Sequence, residues 1–321
     1  METYLCLDFG GTKLLVGEVD EYGNILRHKK YVSGYVNQPA AVEIMKNSVK
    51  DYLATVGWAT GKPAVAMGVG MIGRVDSEGG VWHQIDPHRS GQISLAQELK
   101  SEFGLHCTID NDVKSATRAE RVWGVGRISK NYIYINVGTG IAAGTVVNGH
   151  QVRGSHFNAG EVGHTRVGVN TGISCPCGRV DCIERIASGS GFDASARHLR
   201  DKYPTALQFP DDKDTRLDVR DIYALARKGD PLCTVLVENA AEGLANLIMN
   251  LVRVSDPDTV VLGGGIVSDG YMLEKIHSYL NPQTMRFVSN GVVLTKLNSD
   301  FVGLLGAAAV AMEGSKALVT A

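Results

Sequence analysis

The sequence has almost no net charge: 32 basic against 34 acidic residues leave −2. A nucleic-acid surface normally needs a basic excess, so charge gives no case for such a partner. No apolar stretch approaches the ~20 residues of a membrane span. The start, Met1-Glu-Thr-Tyr-Leu-Cys6, lacks the basic region and apolar run of a secretory signal. The expectation is a cytoplasmic protein with neither a membrane nor a nucleic-acid partner. Cysteine is scarce, and its placing argues against a disulfide framework. Cys6, Cys107 and Cys233 stand alone, while Cys175, Cys177 and Cys182 fall within eight residues. Such a cluster favours a metal.

What is present is an ordinary globular composition, 44% hydrophobic and 21% charged, in 321 residues. That length exceeds what one core usually organises, so two domains are expected. Residues 4–9 read as a strand, Gly10-Gly11-Thr12 as a turn, and 14–19 as a second strand. The turn at 21–24 leads into a third strand. Residues 132–137, Gly138-Thr139-Gly140 and 141–147 repeat the pattern, and Asn148-Gly149 signals a hairpin into another strand. The self-similarity predicts a duplicated domain and two related lobes. Helices are expected at about 40–56, 93–103, from Pro231 to about Val254, and from Val302 to Met312. Asp230 and Pro231 suit the cap and first turn of the third of these. The polar stretch 201–220 reads as an exposed excursion.

A polyphosphate needs backbone N–H groups with no side chain in the way, and glycine also permits the φ > 0 geometry of such loops. Gly10-Gly11-Thr12-Lys13 and Gly138-Thr139-Gly140 qualify, each with a hydroxyl, and Lys13 adds a cation. Asp8 stands where a carboxylate would hold the Mg²⁺ of ATP. Either loop alone could be a plain hairpin turn. Gly263-Gly264-Gly265 follows a buried strand and could admit an adenine ring. Gly68-Val-Gly70-Met-Ile-Gly73 fits a dinucleotide fingerprint, but the following residues read as a turn where that fingerprint needs a helix. This glycine turn is better placed beside a substrate.

Asp110-Asn111-Asp112 ends a strand and opens a helix. An aspartate there could accept the proton of an attacking hydroxyl, and Asn111 could bond neighbouring hydroxyls. Asn and Asp are preferred helix caps, so one of the three is expected to cap the helix, and the spare groups leave room for both roles. His164 with Cys175, Cys177 and Cys182 gives a closed tetrahedral zinc set with no open position, hence a structural site.

These residues, in this order, resemble the ROK family of sugar kinases and sugar-responsive repressors, within the actin-like ATPase superfamily. The likeness runs through Leu7–Lys13, Asn111-Asp112, Asn136–Gly140, Gly160–His164, Cys175–Glu184 and Leu262–Gly265. It implies an α/β, two-lobed actin-like (ribonuclease H-like) fold with duplicated βββαβαβα-type domains and a zinc knuckle in the second lobe. The lobes would be residues 1–118, joined by a C-terminal helix at 303–321, and 119–302. It implies phosphorylation of a hexose-like hydroxyl by ATP, most often the 6-hydroxyl, with Asp112 as general base. Gly73, Asn111, Asp112, Glu161, His164 and Glu184 would contact the sugar. Asp8, Gly10, Gly11, Thr12 and Lys13, with Gly138, Thr139 and Gly140, would meet the phosphates and Mg²⁺. Gly263 and Gly264 would line the adenosine site, and a homodimer would be usual.

Three positions depart from the family's pattern. Asp181 and Phe157 stand where glycine is usual, and Ile72-Gly73 replaces Pro-Gly. The last two, beside the expected sugar site, leave glucose, a β-glucoside, fructose and an N-acetylated hexosamine all open. The rival is a non-catalytic sugar sensor. With seven residues before Asp8, no room is expected for the DNA-binding segment of a repressor.

Overall fold

Tyr4, Leu5, Leu7 and Phe9 make Thr3–Phe9 apolar on both faces, which suits a strand covered from both sides. In the computed structural model this strand, β1, is the centre of a five-stranded sheet. The structure describes residues 1–34, 36–83, 91–212 and 215–320. β2 (Lys13–Asp20) and β3 (Ile25–Val32) follow as antiparallel hairpins, while β4 (Ala66–Met71) runs parallel to β1. A small sheet of β5 (Val75–Asp76), β6 (Val81–His83) and β7 (Gln92–Ile93) comes next, then β8 (Cys107–Asn111), parallel to β4. The order is β3-β2-β1-β4-β8. Helices Gln38–Thr55 and Leu95–Phe103 bury Met45, Tyr52 and Leu99 in the core beside the sheet.

The pattern recurs in a second sheet. β9 (Tyr132–Val137) and β10 (Ile141–Val147) are antiparallel, β11 (His150–Gln151) extends the hairpin, and β12 (Thr259–Gly263) and β13 (Val292–Leu294) run parallel to β9. The order β11-β10-β9-β12-β13 repeats the first sheet strand for strand. Asn148 and Gly149 both take φ > 0, the geometry a two-residue hairpin needs.

Chain contacts divide the protein into two units. One comprises residues 1–127, 153–159 and 300–321, the other 128–152 and 160–299. In the first, the C-terminal helix Val302–Thr320 lies on the sheet. Glycine makes that possible: a Cβ on Gly68 would sit 1.9 Å from the Ala307 carbonyl oxygen. The G-x-G-x-x-G run therefore serves helix-on-strand packing, and a bend into β5 follows it, with no helix. In the second unit, Pro231–Ser255 is the core helix. Asp230 caps it, accepting from the Cys233 amide at 3.0 Å, a bond worth about 1 kcal/mol. This helix is long and apolar enough to cross a membrane, which the reading of short apolar runs did not anticipate. Yet 61% of its most apolar window is buried inside the protein, the pattern of a core helix. The stretch 201–218 is largely irregular and pinned by the buried Leu207 and Leu217. Positions 213 and 214 lie outside the described residues.

Candidate active site

Register places the candidate residues of the first unit. Asp8 on β1 pairs with Gly70 on β4, and Gly70 pairs with Asp110 on β8. At ~4.8 Å per strand, Asp8 and Asp110 stand roughly 10 Å apart in one row. The loop Gly10–Lys13 and the residue Asp112 therefore leave the same edge of the sheet, the carboxyl end of the parallel strands where ligands of such sheets bind.

The Gly10 amide donates to the Lys13 carbonyl at 2.9 Å, and Ser33 Oγ donates to the Gly10 carbonyl at 2.9 Å. Thr12 and Lys13 are exposed at the tip. In the second unit the Gly138 amide donates to the Gly140 carbonyl at 3.0 Å, with Thr139 exposed. Gly10, Gly11, Gly138 and Gly140 all lie outside the left-handed region, contrary to the φ > 0 expectation. What glycine supplies in these loops is the missing side chain. Burial pushes the Asp8 carboxyl up to about 6, with Lys13 opposing. The cause is close: a Cβ on Gly303, at the start of the C-terminal helix, would lie 2.2 Å from Asp8 Cγ.

Asn111 is the cap. Its Oδ1 accepts from the Val113 and Lys114 amides at 3.1 and 3.2 Å, while its Nδ2 donates to the Gly73 carbonyl at 3.0 Å. One side chain thus ties the β8 junction to the Gly73 turn, where φ is +95°. Asp112 is the first helical residue, and its Oδ1 accepts the Val113 amide at 2.9 Å. Phe157 keeps the left-handed backbone of a glycine, φ +58°. Lys114 Nζ donates to its carbonyl, and its ring stacks on His83 with centroids 6.4 Å apart. Sequence reading singled out neither Lys114 nor His83, since nothing in the spacing links them to Phe157.

In the second unit Glu184 braces a loop. Its Oε2 accepts the Ile141 amide at 2.9 Å and would lie 2.7 Å from a Cβ on Gly140. Glu161 is exposed and precedes the short turn Val162–His164. Gly163 must be glycine, because a Cβ would meet the Ile141 carbonyl at 2.3 Å. Gly263 and Gly264 have a similar constraint. Their Cβ atoms would lie 2.3 Å from Tyr134 Oη and from the Val137 carbonyl oxygen. A small cleft beside them is lined by Leu262, Val267, Leu294 and Thr295.

The ligating atoms of His164, Cys175, Cys177 and Cys182 lie within 4.8 Å of one another. His164 Nδ1 is 3.5 Å from Cys175 Sγ, and Cys177 Sγ is 3.6 Å from Cys182 Sγ. A tetrahedron with ordinary Zn–N and Zn–S lengths has edges of about 3.6–3.8 Å, so the donor set fits that ion. The Arg179 backbone amide holds the exposed Cys177 thiol below its usual range. Burial pushes Cys182 up to about 12, so a metal would have to displace that proton. Asp181 also keeps the left-handed φ of a glycine, +58°. Its Oδ1 accepts from Thr171 Oγ1 and from the Thr171 and Gly172 amides, at 2.9, 2.9 and 2.7 Å. Burial works against its charge, but these bonds hold its carboxyl below the usual range. The carboxylate thus stitches the knuckle to the preceding turn.

Known proteins resemble the chain over nearly its whole length. A glucokinase of Thermotoga maritima is 27% identical over 322 residues, covering 96% of each chain. An N-acetylmannosamine kinase of Haemophilus influenzae is 30% identical over 318 residues, covering 95% of this chain and 93% of its own. The crystal structure of a ROK-family glucokinase of Streptomyces griseus with glucose and AMPPNP superposes with a TM-score of 0.76 at 26% identity. It covers 97% of this chain and 99% of its own. The sequence pattern of the ROK family matches residues 4–313. With twin sheets of one topology and that pattern spanning both, the chain belongs to the ROK family, and its fold is the actin-like one.

Proposed function

We propose that the protein transfers the γ-phosphoryl group of ATP to a hydroxyl of a hexose-like sugar, the 6-hydroxyl being the expected acceptor. The observation that carries this is the shared sheet edge of Asp8, the Gly10–Lys13 loop and Asp112. A phosphate loop and a carboxylate at one edge are what an in-line transfer requires. The kinase relatives support the same reading.

In this reading Asp112 accepts the proton of the attacking hydroxyl. The amides of residues 10–13 and 138–140, with the Thr12 and Thr139 hydroxyls, orient the phosphates, and Lys13 offsets their charge. Asp8 is the carboxylate for Mg²⁺, which when bound supplies charge neutralisation at the phosphates. Gly263 and Gly264 border the adenosine, while Gly73, Asn111, Glu161, His164 and Glu184 surround the sugar. Zinc on His164, Cys175, Cys177 and Cys182 has a holding role, since its four ligands leave no open position.

The test is ADP release with ATP and a panel of glucose, β-glucosides, fructose and N-acetylated hexosamines. One sugar giving turnover is expected. Asp112→Ala should keep its fold and sugar affinity yet lose kcat by ~10²-fold or more. Sugar binding without ADP production from any member would instead indicate a sensor.

A further inference from the structure

The proposed base sits two residues beyond Asp110, and a run of charges fixes that junction. Asp110 Oδ1 accepts the Asn111 amide at 2.8 Å, and Arg118 Nη2 donates to its Oδ2 at 2.6 Å. The two side chains are 3% and 4% exposed. Arg118 Nη1 donates to Glu313 Oε2 at 2.7 Å, and Arg121 also pairs with Glu313. Glu313 lies on the C-terminal helix, Arg118 on the helix that Asp112 opens, and Asp110 on β8. Three elements therefore meet in one line of fork-shaped bonds.

Burying such a set is poor economy for stability alone, because apolar side chains of similar shape often do as well or better. What ions add is direction. Arg118 presents two donors in a fixed plane, and Asp110 answers with two acceptors, one on the guanidinium and one on the backbone next to Asp112. The Asn111 side chain is already committed to the cap and to Gly73. With both holds in place, the backbone entering Asp112 is fixed from two directions.

We propose that Glu313, Arg118 and Asp110 form a positioning relay that aims Asp112, so that the C-terminal helix sets the geometry of the base. The inference rests on the kinase reading. Its test pairs the neutral double variant Asp110→Asn/Arg118→Gln, which leaves no unpaired buried charge, with Arg118→Lys, each in wild-type and Asp112→Ala backgrounds. Kinetics use the sugar found on the panel, with kcat corrected for the fraction of chains that bind it.

The double variant should lose tenfold or more in corrected kcat, with both KM values within twofold, because ~1 Å of misplacement costs about 10²-fold. Arg118→Lys, with a single donor point, should fall between. In the Asp112→Ala background the same changes should cost less than twofold, an insensitivity that a purely structural role would not produce. Unchanged kcat in a folded double variant, or equal losses in both backgrounds, overturns the relay alone. A wild type that phosphorylates no sugar overturns the kinase reading and the relay with it. If the double variant does not fold, Glu313→Gln decides: a threefold or greater kcat loss at constant KM supports the relay, and wild-type kcat overturns it.

Discussion

Adding a single methyl group at Gly303 should disable phosphate handling without touching a phosphate loop. The Cβ of Gly303→Ala would lie 2.2 Å from Asp8 Cγ and Oδ2, and an ordinary contact begins at 3.4 Å. Asp8 or the helix start must therefore give by about 1.2 Å. The helix is held along its length by close approaches such as Gly68 on Ala307 and Gly306 on Ser115, so the carboxylate is the part that moves. A displacement of ~1 Å at a catalytic group costs about 10²-fold, or ~2.7 kcal/mol of transition-state stabilisation. Stability should change by at most a comparable amount. The crowding costs ~1–3 kcal/mol, while alanine gains up to ~1 kcal/mol over glycine in a helix. The assay is steady-state ADP release, with magnesium and ATP varied at saturating sugar. The expected result is a loss of ~10²-fold in kcat/KM for MgATP, a higher magnesium requirement and an unchanged sugar KM. Wild-type kcat/KM for MgATP in a folded Gly303→Ala protein would refute the role given to Asp8.

Asp8 also sets a pH dependence. Its carboxyl is raised to about 6 by burial, so kcat/KM for MgATP should fall as pH drops through about 6. For stability the sign is opposite. A raised carboxyl favours the fold below its unfolded value near 3.8, and that support is lost as pH rises through about 6. Asp8→Asn should therefore melt higher than wild type at pH 8 and equally at pH 4, as differential scanning calorimetry can show. Metal analysis of chelator-washed protein should find about one zinc per chain. Cys182→Ser should lower the melting temperature by roughly 5 °C or more and weaken sugar binding through His164. Far less than one equivalent in the wild type would remove the zinc assignment. Phe157→Gly should relieve a left-handed aromatic residue, so the melting temperature should hold or rise while the ranking of sugars on the panel changes. An unchanged ranking would take Phe157 out of sugar selection.

The sequence by itself carried the elements whose cause is local. Apolar runs marked β1, β4 and β9, the Asn-Gly pair marked the β10–β11 hairpin, and Asp230-Pro231 marked a helix start, because each signal sits within a few residues of its effect. The repeat was legible for the same reason, and the Cys-x-Cys-x₄-Cys spacing brought three thiols together almost unaided. The tertiary structure decided what depends on distant partners. Gly68 fits a glycine fingerprint whose helix is missing, and its use shows only when Ala307 of the C-terminal helix is seen to fill the space a side chain would need. Asn111 reads as a cap or a hydroxyl contact, and only packing shows that its amide also reaches the Gly73 carbonyl, 38 positions earlier in the chain. Arg118 carries no signal of its own in the sequence, and only the fold sets Asp110 and Glu313 on either side of it. A close approach between segments far apart in the chain leaves no mark on the spacing of either one, so packing alone could assign these residues their work.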